Sequence, residues 1–143
     1  MTLTEHALHT AVDEWYAALD RHDDLAAVLP RLVDDGLVMR FPEGTLRGHT
    51  GFAEWYRTVT NRFFDEQHTV SSVTVDRLGD AGATVRVLVN WQAHIWDPPA
   101  ARSRWLGFDA YQTWELVPGG GTLPLIKTYV VDELKPMAGS APL

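Results

Sequence analysis

Two hydrophobic periodicities divide the chain, and one gives way to the other near residue 67. Leu8, Val12, Trp15 and Leu19 recur at steps of four, three and four, the stripe of an amphipathic helix. Thr2 followed by Glu5 predicts a capping box at its start. The run Arg21-His22-Asp23-Asp24 stops that helix, and Leu25, Val28, Leu29 and Leu32 mark a shorter second one, which Pro30 breaks early. Residues 36–40 form a short apolar stretch, and Phe41-Pro42-Glu43-Gly44 reads as a turn toward Leu46. Thr50 is placed to cap a third helix, with Phe52, Trp55, Tyr56, Val59 and Phe63 on one face.

Beyond Gln67 the pattern is that of strands. Residues 70–78, 83–96, 102–117 and 123–134 are rich in β-branched and aromatic side chains. Gly79-Asp80-Ala81-Gly82, Asp97-Pro98-Pro99 and Pro118-Gly119-Gly120-Gly121 separate them, and short turns between long consecutive strands predict an antiparallel meander. Helices first and a sheet afterwards is an α+β layout, with the sheet curling around three N-terminal helices as a cone. Along 83–95 every odd position is apolar (Ala83, Val85, Val87, Val89, Trp91, Ala93, Ile95), so that face should pack on the core. The even face is mixed but carries Leu88 and, just beyond, Trp96. A back-to-back homodimer would cover it. Residues 1–134 are expected to form one domain and 135–143 a loose tail.

Composition narrows the function classes. A chain of 143 residues with 45% hydrophobic and 22% charged residues is a globular domain, not a disordered segment. Its net charge of −7 argues against nucleic acid and anionic membrane surfaces as partners. The absence of cysteine removes disulfides, thiolate nucleophiles and thiolate-held metals. No apolar stretch reads as a secretory signal or approaches the ~20 residues that cross a bilayer; the segment 85–91 is broken by Arg86 and Asn90. The expectation is a cytoplasmic protein.

Several local strings carry a resemblance: WYAALDRHDDLAAVLP on the first two helices, VMRFPEGTLRGHTGFAEWY into the third, QHTVSSVTV opening the sheet, and LGFDAYQTWEL and PLIKTYVVDEL on the last strands. With this order of elements, the chain resembles the nuclear transport factor 2-like superfamily, in particular its SnoaL-like branch, over residues 5–134. The resemblance implies a cystatin-like α+β barrel with an apolar pocket between helices and concave sheet. It reaches enzymes, ligand binders and interaction domains alike. Against the ketosteroid isomerase pattern, Phe41 stands where the base would be and Trp15 where the oxyanion donor would be, while Asp109 matches the second carboxyl. Against the polyketide cyclase pattern, Tyr129 and Val131 take the His and Asp positions, and Asp132 is offset by one residue. Against the scytalone dehydratase pattern, Gln67-His68, His94 and Asp20 match, but its two tyrosines fall at Leu19 and Phe41.

The candidate chemistry follows. His68 and His94, on consecutive strands, are titratable near neutral pH and fit acid–base roles. Alternation sets His94 on the mixed face, unless a bulge re-aims it. Asp109, between Phe108 and Ala110, is a candidate second proton-transfer group, or a charge on the convex face. Asp20 is a candidate ligand contact or a helix cap. Tyr129 is expected to bind a substrate oxygen, and Trp15, Phe41, Trp55 and Trp91 to wall the pocket. The histidines lack metal-ligand spacing, so neither metal nor cofactor is expected. The reading is an acid–base cyclase, dehydratase or isomerase acting on a small hydrophobic ring-bearing metabolite. The alternative is a non-catalytic ligand-binding or protein-interaction module. Convergent titratable groups inside the pocket would favour the enzyme.

Overall fold

The computed structural model describes residues 3–143. Helix α1 spans Glu5–Asp20, and its N-cap is Thr4, whose hydroxyl accepts the Ala7 N–H at 3.1 Å. Thr2 lies outside the described residues. The predicted stripe is the buried face: Leu8, Val12, Trp15 and Leu19 join Ala11, Tyr16 and Ala18 in the interior. Burying each large apolar side chain there is worth about 1.5–3 kcal/mol. The helix ends in a left-handed turn at His22, φ 51°, closed by Asp23 N–H donating to the Ala18 carbonyl at 3.1 Å. Helix α2 spans Leu25–Val28 and tightens into a 3₁₀ turn, Leu29–Arg31, around Pro30.

Residues 38–47, read from sequence as an apolar stretch and a turn, form a hairpin of β1 (Val38–Phe41) and β2 (Gly44–Arg47). Four residues per strand are too few for alternation to register. Helix α3 spans Gly48–Arg62 and starts before Thr50; its first turn is held by Asp34, whose Oδ1 accepts the His49 N–H at 2.9 Å. The helix stops at Arg62, so Phe63 opens β3 instead of extending the helical stripe.

The long strands are β3 (Phe63–Leu78), β4 (Ala83–Ile95), β5 (Arg104–Val117) and β6 (Leu125–Pro136). They pair antiparallel in sequence order, as the meander predicts. The hairpin joins the far edge through β1, parallel to β6, with Val38 opposite Thr128. The sheet is therefore mixed, ordered β2-β1-β6-β5-β4-β3, curved and open. Ala83, Val85, Val87 and Val89 pack with Leu8, Val12, Trp15, Phe52, Trp114 and Leu116 in one core on its concave side.

The tail is hydrogen-bonded back onto β5. Met137 N–H donates to the Gly107 carbonyl at 2.9 Å, Ala141 N–H to Trp105 O at 2.9 Å, and Gly107 N–H to Ser140 Oγ at 3.0 Å. Gly107 permits this packing, because a Cβ there would stand 2.5 Å from the Trp105 ring and 2.8 Å from the Met137 sulfur. No helix among the described residues is long and apolar enough to cross a membrane.

Candidate active site

A cavity of about 760 Å³ opens between α3, the β1–β2 hairpin and the concave face of β3–β6. That is the size of a small-molecule site. Its walls are largely apolar. Phe41 and Trp55 stack at one side, centroids 4.5 Å apart, and Trp91 of β4 also lines the cavity. Trp15 is not a wall: it is almost wholly buried beneath, against Phe52 and Tyr129, at 5.7 and 6.3 Å between centroids.

His68 reaches this cavity because of a bulge. Between the pairs Phe64/His94 and Gln67/Gln92, β3 carries two residues, Asp65 and Glu66, where β4 carries one. Asp65 takes φ 50°, a region that Asp tolerates better than most residues. The extra residue reverses the alternation, so Phe63 points inward and then Glu66 and His68 do. The C-terminal residue of α1, Asp20, meets His68 from behind. It accepts the His68 backbone N–H, 2.9 Å to Oδ2 and 3.1 Å to Oδ1, and its Oδ1 lies 2.6 Å from ring Nδ1. A carboxylate at Nδ1 fixes the proton there and leaves Nε2 as the acceptor. The ring is further pinned by stacking on Tyr16 at 4.7 Å, and its side chain is 11% exposed.

A second imidazole–carboxylate pair lies two residues along both segments. His22 Nε2 donates to Glu66 Oε2 at 2.7 Å, while Trp91 Nε1 donates to Glu66 Oε1 at 3.1 Å. In this pair the carboxylate, not the imidazole, lines the cavity.

The deep polar end is built from Tyr16, Gln112 and Tyr129. Tyr16 donates to Gln112 Oε1 at 3.0 Å, Trp114 Nε1 donates to the same oxygen at 2.8 Å, and the two tyrosine hydroxyls are 3.0 Å apart. Burial pushes the Tyr129 phenol up to about 12 and the Tyr16 phenol well above its ordinary range, so both keep their protons. Burial likewise raises Tyr56 to about 12, and its hydroxyl donates to the Asp23 carbonyl at 2.6 Å. Among the described residues no three His, Asp or Glu side chains are grouped to hold a metal ion.

Residues 12–120 match the family model of the SnoaL-like domain. The chain belongs to the SnoaL-like family. No curated protein matches its sequence. Solved structures share the fold. A candidate aromatic ring hydroxylase from Novosphingobium aromaticivorans superposes with a TM-score of 0.80 at 17% identity, covering 92% of each chain. A candidate scytalone dehydratase from the same organism gives 0.73 at 14% identity, covering 96% of this chain and 88% of the other. The type 3 hexachlorocyclohexane dehydrochlorinase LinA from Novosphingobium barchaimii LL02 gives 0.74 at 14%, covering 96% and 92%. At such identities the likeness is one of fold.

In this SnoaL-like chain the cavity gathers His68, Phe41, Trp55, Trp91 and Tyr129 from the sequence candidates, with Asp20 directly behind His68. It does not gather His94 or Asp109. Both occupy the convex face, because their neighbours Ala93, Ile95, Phe108 and Ala110 take the inner one. Asp109 accepts from Asn90 Nδ2 at 2.9 Å, and His94 Nδ1 is buried without a partner among the described residues. The His68 ring is held by Asp20 of α1, not by a neighbour on its own strand. Sequence reasoning missed Glu66, His22 and Gln112 as site residues. A bulge leaves no mark in hydropathy, and the Tyr16–Gln112 contact spans 96 positions.

Proposed function

We propose that the cavity carries out cofactor-independent acid–base conversion of a small hydrophobic ring-bearing molecule, of cyclase, dehydratase or isomerase type. One observation carries the reading: a histidine in an apolar cavity, its Nδ1 at 2.6 Å from a carboxylate that also grips its backbone. In this reading His68 Nε2 takes a proton from a substrate carbon. Asp20 fixes the tautomer and ring orientation, the task of a carboxylate behind a general base. A substrate oxygen gathering charge would meet the Gln112 amide, whose Oε1 is taken by two donors, so that its N–H groups are the ones left to offer. Asp109, on the opposite face, has no part in it. A non-catalytic module would need only the aromatic walls; His68 and Glu66 facing one cavity favour the enzyme. The same reading pairs two chains through their convex faces.

The test needs no knowledge of the natural substrate. 5-Nitrobenzisoxazole is a neutral ring whose C–H proton leaves to a base as the N–O bond opens, giving a phenolate nitrile. The parent protein is expected to accelerate this opening, and His68→Gln to lose roughly 10²–10⁴-fold of the rate at equal thermal stability. Asp20→Asn should lose less, since its carbonyl still accepts from Nδ1. Equal rates in parent and His68→Gln would overturn the assignment of the base.

A further inference from the structure

Glu66 is a carboxylate with little water and spare acceptor capacity. Its side chain is 9% exposed, and it lines the cavity. Each oxygen holds one donor, Trp91 Nε1 on Oε1 and His22 Nε2 on Oε2. A carboxylate offers about four lone-pair positions, so about half remain. The two donors come from β4 and from the turn after α1, so Glu66 is aimed before any ligand arrives. A ligand that expels water from the cavity must replace what water gave those lone pairs, or leave a buried acceptor unpaired.

We propose that Glu66 is the specificity-determining residue of the cavity, selecting ring-bearing ligands that place a hydroxyl on its carboxylate. A hydroxyl fits better than an ammonium. Arg62 shares the cavity lining, and a cation would give up its hydration for oxygens that His22 and Trp91 already share. Glu43, the other carboxylate side chain of the lining, stands at the Phe41–Trp55 wall and takes the Trp55 Nε1 at 3.3 Å. Among the described residues it takes no second donor. The inference rests on the proton-transfer reading only where it treats the ligand as a substrate; the selection itself is a property of binding.

The probes are 2-naphthol and 2-methylnaphthalene, which match in shape and differ in the donor. Titration calorimetry with the whole protein is expected to show the naphthol bound about 10- to 100-fold more tightly, although it is the less hydrophobic of the two. Glu66→Met, similar in length and without an acceptor, should abolish the preference. Glu66→Gln, which keeps a neutral carbonyl, should leave an intermediate one and serves if the Met variant does not fold. His68→Gln should retain the preference, so that failure of the base assignment and failure of this one are separable. Equal affinities in the parent, no binding of naphthol, or a preference that survives loss of Glu66 would overturn the assignment.

Discussion

A protonated tyrosine has one hydrogen to give, and that count decides what Tyr129 does. Tyr16 spends its hydrogen on Gln112 Oε1, so the 3.0 Å contact between the hydroxyls is Tyr129 donating to Tyr16. Tyr129 therefore braces the cavity floor, and the side chain with donors to spare is Gln112. Nothing in the sequence marks Gln112: on paper it is one polar residue among the alternating positions of β5, yet it is 4% exposed. Its worth comes from two buried donors converging on one oxygen. Gln112→Leu should take the shared acceptor away from the Tyr16 hydroxyl and the Trp114 indole together and cost about 2–4 kcal/mol in urea unfolding. Tyr129→Phe strands neither and should cost about 1 kcal/mol. Equal costs would show that the chain of donation runs differently.

At the scale of elements, periodicity was most informative where an element is long and one face is buried. The α1 stripe and the odd positions of β4 are read correctly because every third or fourth residue, or every second one, meets the same core. It fails where one residue breaks the count. In β3 a strict alternation from Phe63 would send Asp65 and Gln67 inward; the bulge sends Glu66 and His68 instead. The same lesson holds for β1 and β2, too short to alternate, and for the tail, which is fixed by backbone bonds to Gly107 and Trp105 that hydropathy cannot encode. The left-handed backbone of Asp65 makes this element testable. Asp65→Gly should be neutral or stabilising by up to about 1 kcal/mol, while Asp65→Val should destabilise by about 1–2 kcal/mol in thermal denaturation. The Gly variant should keep the Asp20–His68 contact and the rate with 5-nitrobenzisoxazole, because the bulge persists. If Val proved as stable as Gly, the backbone at 65 would not be left-handed in solution.

For the whole molecule, the concave side of the sheet is accounted for by the helices and the cavity, and the convex side only in part, where Met137 of the tail reaches Asn90. Leu88 stands opposite Tyr111 at the middle of the β4–β5 pair, with Tyr111 36% exposed. Phe64 at 41% and Trp96 at 51% continue the apolar surface toward His94, whose buried Nδ1 lacks a partner among the described residues. Between these groups Gln92 donates to Asn90 Oδ1 and Asn90 to Asp109, each at 2.9 Å, a polar cluster set in an apolar surround. An apolar patch broken by a few internally satisfied polar groups has the make-up of an interface between subunits. Cavities and convex face lie on opposite sides of the sheet, so pairing would leave both cavities open. Sedimentation at micromolar concentration is expected to give twice the 16.0 kDa chain mass. Tyr111→Glu adds a carboxylate opposite Glu133 in the register and beside the Lys135 ammonium that now lies 4.9 Å from the Tyr111 ring. Its own strand remains paired on both sides, so the variant should stay folded and shift toward monomer. A parent that sediments as a monomer would remove the argument, and a dimer indifferent to Tyr111→Glu would move the interface elsewhere.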